Sequence, residues 1–97
     1  MKLRLSDDAA ADITETRDWY AERSMSAADQ FLDALTLAFE TIEMFPSAAP
    51  LVDVHVRRFK LHRFPHSLYY ILESDEIIVF ACLHGRRSDL AWRTREG

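Results

Sequence analysis

Two groups of cationic residues in the second half of the chain have the residue types and spacing needed to bind a partner. The seven residues from position 57 to position 63 include four positive charges, at Arg57, Arg58, Lys60 and Arg63. A further pair, Arg86 and Arg87, follows soon after an apolar run. Arg and Lys recognise carboxylate and phosphate groups, although such residues also protect exposed sheet edges from unwanted pairing. If the strands that carry them are neighbours, the charges converge at one end of a sheet and favour binding of a ligand, a nucleic acid or a protein.

His84 is the residue most suited to proton transfer, because it ends the apolar run and is followed by Gly85. A histidine at this position either makes a structural hydrogen bond or acts as a general acid or base, for which its ordinary pKa is suitable. No spacing of His, Cys and Asp resembles a metal site, and no phosphate-binding loop or nucleophile elbow occurs. We therefore expect neither a metal nor a cofactor.

The charge distribution is uneven along the chain. Residues 1–50 carry four Lys or Arg against ten Asp or Glu, whereas residues 51–97 carry eight against six. With 97 residues, 48% of them hydrophobic, we expect one domain over 1–97 with a polar tail over 86–97. In that tail, Trp92 is either part of a binding surface or an anchor that docks the tail onto helices.

The cysteine count and the absence of long apolar runs in the sequence indicate in which cellular compartment the protein works. One cysteine, Cys82, cannot form an internal disulfide, and no apolar run approaches the roughly 20 residues of a membrane span. No secretory signal precedes the acidic residues that follow Ser6. We expect a cytoplasmic protein without membrane contact.

The first half of the chain predicts a strand and two helices. Residues 2–5 alternate as a short strand does, and Ser6 is a suitable N-cap for a helix over about 6–23. Ser26 with Asp29 forms a capping-box pattern for a second, amphipathic helix that ends at Pro46. The short joint between the two predicts an antiparallel helical hairpin.

The second half predicts three strands. Alternation from residue 52 to 61 indicates the first, with a bulge where Arg57 and Arg58 shift its phase. Residues 67–73 and 76–84 form the others, joined by a turn at 74–75, and the last is apolar on both faces and therefore central. The order β-α-α-β-β-β predicts an α+β fold in which the helical hairpin packs on a small, mainly antiparallel sheet.

The basic run, the string Arg63-Phe64-Pro65-His66, the string His84-Gly85-Arg86-Arg87 and the tail residue Trp92 together resemble the RelE/ParE toxin superfamily of type II toxin–antitoxin modules. The similarity extends over nearly the whole chain and is greatest to the ParE, plasmid-stabilisation branch.

The resemblance implies a toxin that a cognate antitoxin neutralises in a hetero-oligomer. For the ParE branch it implies inhibition of DNA gyrase by protein binding. From the positions of the cations and of the tail aromatic, we expect the target-binding residues to be Arg57, Arg58, Lys60, Arg63, Arg86, Arg87 and Trp92. The alternative is an endoribonuclease that cuts mRNA on the ribosome, with Arg58 and His84 as catalytic residues and Arg63 and Arg86 in support. That reading lacks the tyrosine expected beside His84, and the acidity of the chain, with a pI near 5.5, opposes docking on RNA. A third reading is an inactive homologue that only binds its antitoxin.

Overall fold

The computed structural model describes residues 1–85 and 91–95, and all structural statements below concern these residues. It contains four strands and two helices in the predicted order, followed by a 3-10 turn at Arg93–Arg95. The elements are β1 Lys2–Leu5, α1 Asp7–Ala21, α2 Met25–Met44, β2 Arg57–Lys60, β3 His66–Glu73 and β4 Glu76–His84. Neither helix in the described ranges is both long and apolar enough to cross a membrane.

The helix starts show one correct prediction and one error. The Ser6 hydroxyl accepts a hydrogen bond from the Ala9 amide at 3.1 Å, so Ser6 is the N-cap of α1 as predicted. The second helix is capped by Ser24, whose hydroxyl accepts from the Ala27 amide at 3.2 Å, and Ser26 lies inside the first turn. Because α1 ends at Ala21, two residues earlier than expected, Ser24 has the extended backbone of an N-cap and begins α2.

The sheet has the order β1-β4-β3-β2, and β4 is central as predicted. β1 is parallel to β4, whereas β3 is antiparallel to both β4 and β2. The α+β class and the mainly antiparallel sheet are therefore confirmed.

Two details of the strands differ from the predictions. The segment before Arg57 is not a strand, because the Val52 amide donates to the Val56 carbonyl at 2.8 Å and closes the segment into a loop. The predicted bulge is also misplaced: Tyr69 pairs with Ala81 and Tyr70 with Val79, so the extra residue is Phe80 in β4. A bulge compensates for a mismatch in strand pairing, and that mismatch depends on which strands are neighbours.

Two apolar cores lie on opposite faces of the sheet. One face packs against the helical hairpin through Leu68, Tyr70, Ile77, Val79 and Cys82. The other face forms a smaller cluster, in which the tail residue Trp92 covers the sheet; its members are Val56, Tyr69, Phe80, Ala81 and Trp92. The described part of the tail therefore forms a third layer over the sheet.

Candidate functional site

The basic cluster lies on the edge strand β2 and in the loop that follows it. Arg58, Lys60 and Arg63 are exposed. Arg58 and Lys60 border a shallow recess of about 300 Å³ between β2 and the end of α2, together with Phe45 and Pro50. Phe45 is 58% exposed. Cations around an exposed aromatic ring are suited to binding an apolar protein surface that also carries acidic residues.

Arg57 differs from the other cations because its guanidinium is used inside the fold. It donates hydrogen bonds to the carbonyls of Ser47 and Ala49 at 2.8 Å and 2.7 Å. Its cross-strand neighbour Tyr70 donates to the Pro46 carbonyl at 2.7 Å. Together the two side chains hold the loop after α2 against the sheet, which forms one wall of the recess.

His84 lies in a different environment, a larger cavity of about 650 Å³ between α1 and the end of β4. It pairs across the sheet with His66, and the two imidazole centroids are 5.5 Å apart. His66 packs against Tyr20 and Phe31 of the helical hairpin. Burial, together with the charge of His84, lowers the pKa of His66.

The sheet register separates Arg58 from His84. Arg58 pairs with Tyr69, which packs in the second core, whereas His84 pairs with His66, which packs against the helices. Opposed residues of neighbouring strands lie on the same face, so Arg58 and His84 lie on opposite faces. They are also two strands apart, or roughly 10 Å across the sheet. The two residues do not converge on one reacting group.

The tail is fixed by contacts on both sides of β4. The Trp92 ring stacks on Tyr69 with centroids 5.7 Å apart, and Trp92 is 3% exposed. Arg93 pairs with Asp53 at 2.7 Å, and Arg95 pairs with Asp12 of α1. Trp92 therefore anchors the tail on the sheet face opposite the helical hairpin. The tail contacts the hairpin through Arg95, so the expectation that Trp92 itself docks there is wrong. Arg86 and Arg87 lie outside the described residues.

Sequence reasoning did not identify the two carboxylates that hold the tail. Asp12 accepts hydrogen bonds from both Arg95 and the Cys82 amide, the latter at 2.9 Å. The amide of Val54 and the side chain of Arg93 lower the pKa of Asp53. Both carboxylates meet residues distant in the sequence, so no local pattern reveals them. Among residues 1–85 and 91–95, no group of His, Cys, Asp and Glu is arranged to hold a metal ion.

Comparison with known proteins places the chain in a family. Of the solved structures, one described as the chromosomal ParDE TA system from P. aeruginosa matches with a TM-score of 0.64 at 22% identity, covering 87% of this chain and 95% of that one. No match was found among curated proteins. The family model described as the ParE toxin of the type II toxin–antitoxin system parDE matches residues 3–89. The chain therefore belongs to the ParE toxin family of type II toxin–antitoxin systems.

Proposed function

We propose that this toxin inhibits DNA gyrase by binding it, without chemistry of its own, and that a cognate antitoxin neutralises it. The observation that carries the proposal is the separation of Arg58 from His84, since a ribonuclease would need these groups around one phosphate. The recess bordered by Arg58, Lys60 and Phe45 instead has the composition of a protein-binding surface.

The proposal of an antitoxin partner draws on the family and on the surface of the molecule. The similar structure from P. aeruginosa is described as a ParDE toxin–antitoxin system. In this chain, α2 leaves apolar side chains in solvent, including Leu37 at 57% and Met44 at 70% exposure. Large exposed apolar side chains on a small protein commonly mark an interface. A module of this kind would stabilise the replicon that carries it.

The test compares charge reversal at two places with the same change in net charge. The double variant Arg58→Glu with Lys60→Glu should weaken inhibition of gyrase supercoiling by about tenfold or more, because it reverses the charge that complements the target. The control residues are also exposed or partly exposed. Lys2 lies in β1, at the opposite sheet edge from β2, Arg17 lies in α1, and neither residue borders the recess, so Lys2→Glu with Arg17→Glu is the control pair. It should change inhibition by less than about twofold. From the sequence alone, we expect the same loss for charge reversal at Arg86 and Arg87.

His84→Ala separates the proposal from the nuclease alternative. If the toxin only binds its target, this variant should remain as toxic as wild type, with DNA damage signalling and intact mRNA. If the toxin were a ribosome-dependent endoribonuclease, His84→Ala would slow mRNA cleavage by about 10²–10⁴-fold. Antitoxin binding without growth inhibition, gyrase inhibition or mRNA cleavage would identify an inactive homologue.

A further inference from the structure

The cavity that contains His84 exists because β1 is shorter than β4. β1 pairs with β4 only from Glu76 to Val79, after which the chain turns into α1. Residues 80–84 of β4 consequently have no strand on that side in the described part of the chain. The Asp12 carboxylate replaces part of the missing strand by accepting the Cys82 amide. The space beside α1 and the end of β4 is left open.

The α1 wall of this cavity is acidic and aromatic. Asp12 and Glu15 line it, and Asp8 lies one turn before Asp12 on the same side of the helix. Trp19, which is 52% exposed, and Tyr20 complete the wall. Carboxylates beside aromatic rings attract cations through charge and through the ring faces.

The chain's own cations already use part of this wall. Arg95 pairs with Asp12, and the Arg23 guanidinium lies 3.7 Å from the centre of the Trp19 ring. Hydrogen bonding to Asp12, with additional attraction from Asp8 and Glu15, raises the pKa of Arg95. Glu15 itself forms no ion pair with any described residue. Within the described part of the chain, Glu15 is therefore a carboxylate that lines the cavity without being held in an ion pair.

The inner part of the cavity supplies a second, independent feature. His66 lines the cavity, is only 8% exposed, and has an Nδ1 atom without a hydrogen-bond partner in the described structure. An unpaired polar atom in a buried side chain costs free energy. Burial lowers the pKa of His66, which favours the neutral imidazole, and a neutral imidazole keeps one ring nitrogen as a hydrogen-bond acceptor.

We propose that this cavity receives an arginine or lysine side chain of the antitoxin. The inference rests on the proposed neutralisation by an antitoxin. It places one contact of the antitoxin at α1 and the end of β4, away from the Arg58 recess. Arg95 also lines the cavity, but its charge is offset by Asp12, so a phosphate group of a nucleic acid would still meet the carboxylate of Glu15. A basic side chain would pair with Glu15, lie against Trp19 and bring donors towards His66.

The experiment measures affinity for the purified cognate antitoxin by titration calorimetry. Glu15→Lys should weaken binding by about tenfold, because it places a like charge against the incoming cation. Glu15→Gln should weaken it by a smaller factor. Glu73→Lys is the matched control, since Glu73 is exposed and lies at the opposite end of the β3–β4 hairpin from the cavity. It should change affinity by less than about twofold.

A charge-swap series identifies the incoming residue. Each arginine and lysine of the antitoxin's toxin-binding segment is changed to glutamate, and one change should restore affinity for Glu15→Lys while weakening affinity for wild type. Equal affinities of Glu15→Lys and Glu73→Lys, or no restoring partner in the series, would overturn the cavity assignment and leave the proposed function intact. Failure of the antitoxin to bind the wild-type toxin would overturn the proposed function, and this inference with it.

Discussion

At the residue scale, Arg63 combines an exposed charge with an unfavourable backbone conformation. Its φ of 69° places a non-glycine residue in the left-handed region, within the loop that joins β2 to β3. A side chain in that region costs roughly 1–2 kcal/mol. The exposed charge of Arg63 is a candidate contact for the target, and a substitution that removes both the charge and the steric cost can test it.

We expect Arg63→Gly to stabilise the fold while weakening action on the target. Glycine adopts positive φ without steric cost, so the free energy of unfolding should rise by about 1 kcal/mol. Ser74→Gly is the matched control, since Ser74 has a φ of 53° in the β3–β4 turn and carries no charge. Chemical denaturation should show a gain in both variants, whereas gyrase inhibition should fall only for Arg63→Gly. Equal inhibition by the two variants would contradict a binding role for Arg63.

His66 should make stability depend on pH. Its pKa in the folded protein lies below its ordinary value, so the unfolded chain binds more protons in the interval between the two. Stability should therefore be complete above about pH 6.5 and should decline as the pH falls from there towards the lowered value. Denaturation midpoints of wild type and His66→Gln, measured from pH 7.5 to pH 5, should differ in slope, with the smaller slope in the variant. His62→Gln, at an exposed loop position, should retain the wild-type slope.

At the scale of elements, the described tail is a packed part of the fold. Trp92 seals the second core against Tyr69, and the ion pairs of Arg93 and Arg95 fix the 3-10 turn on either side of it. The exposed ion pair of Arg93 with Asp53 contributes little by itself. Burial of the indole supplies most of the docking free energy.

Substitution of the two tryptophans tests whether burial of the Trp92 indole stabilises the fold. Trp92→Ala should lower the free energy of unfolding by about 3–5 kcal/mol, because it empties a buried site. Trp19→Ala removes the same side chain from a half-exposed position and should cost about 1 kcal/mol or less. Thermal denaturation of both variants makes the comparison. A small loss for Trp92→Ala would show that the tail does not stabilise the sheet in solution.

A target-binding role for Trp92 remains a prediction. The variant Trp92→Phe tests it. Phenylalanine keeps an aromatic ring on Tyr69 but removes the indole N–H and part of the ring edge. If the indole contacts the target directly, Trp92→Phe should reduce gyrase inhibition more than it reduces stability. Parallel losses would indicate that Trp92 acts only by docking the tail.

At the scale of the whole molecule, the helical hairpin and the sheet edge differ in character. The first 50 residues, which form β1 and the hairpin, contain most of the acidic residues, whereas the β2 edge presents Arg58, Lys60 and Arg63. Apolar residues are exposed along α2, among them Leu32, Leu37 and Met44. Such a surface suits a partner that contacts several sides of the toxin.

Binding of the antitoxin should therefore raise the thermal midpoint of the toxin. A partner at 100 times its Kd adds about 2.7 kcal/mol, which corresponds to a rise of roughly 10 °C or more for a domain of about 100 residues. Differential scanning calorimetry of the toxin alone and with saturating antitoxin measures the shift. An antitoxin truncated before its toxin-binding segment is the control, and equal midpoints with the intact antitoxin would contradict the prediction.

Features that depend on neighbouring residues could be predicted from the amino-acid sequence. The Ser6 cap, the turn at 74–75 and the bounds of β4 follow from local hydrogen-bonding chemistry and from periodicity. The continuous apolar run of β4 also predicted its central place, because a strand that is apolar on both faces must be covered on both. These patterns were sufficient for the α+β class.

Contacts between residues distant in the sequence could not be predicted in this way, because they depend on how the strands pair. Strand pairing places the bulge at Phe80 and sets Arg58 and His84 on opposite faces of the sheet. Arg57 donates hydrogen bonds to carbonyls of the loop after α2. Trp92 packs on the sheet face away from the helices. Such contacts depend on register and chain path, since a one-residue shift in pairing transfers every side chain of a strand to the other face.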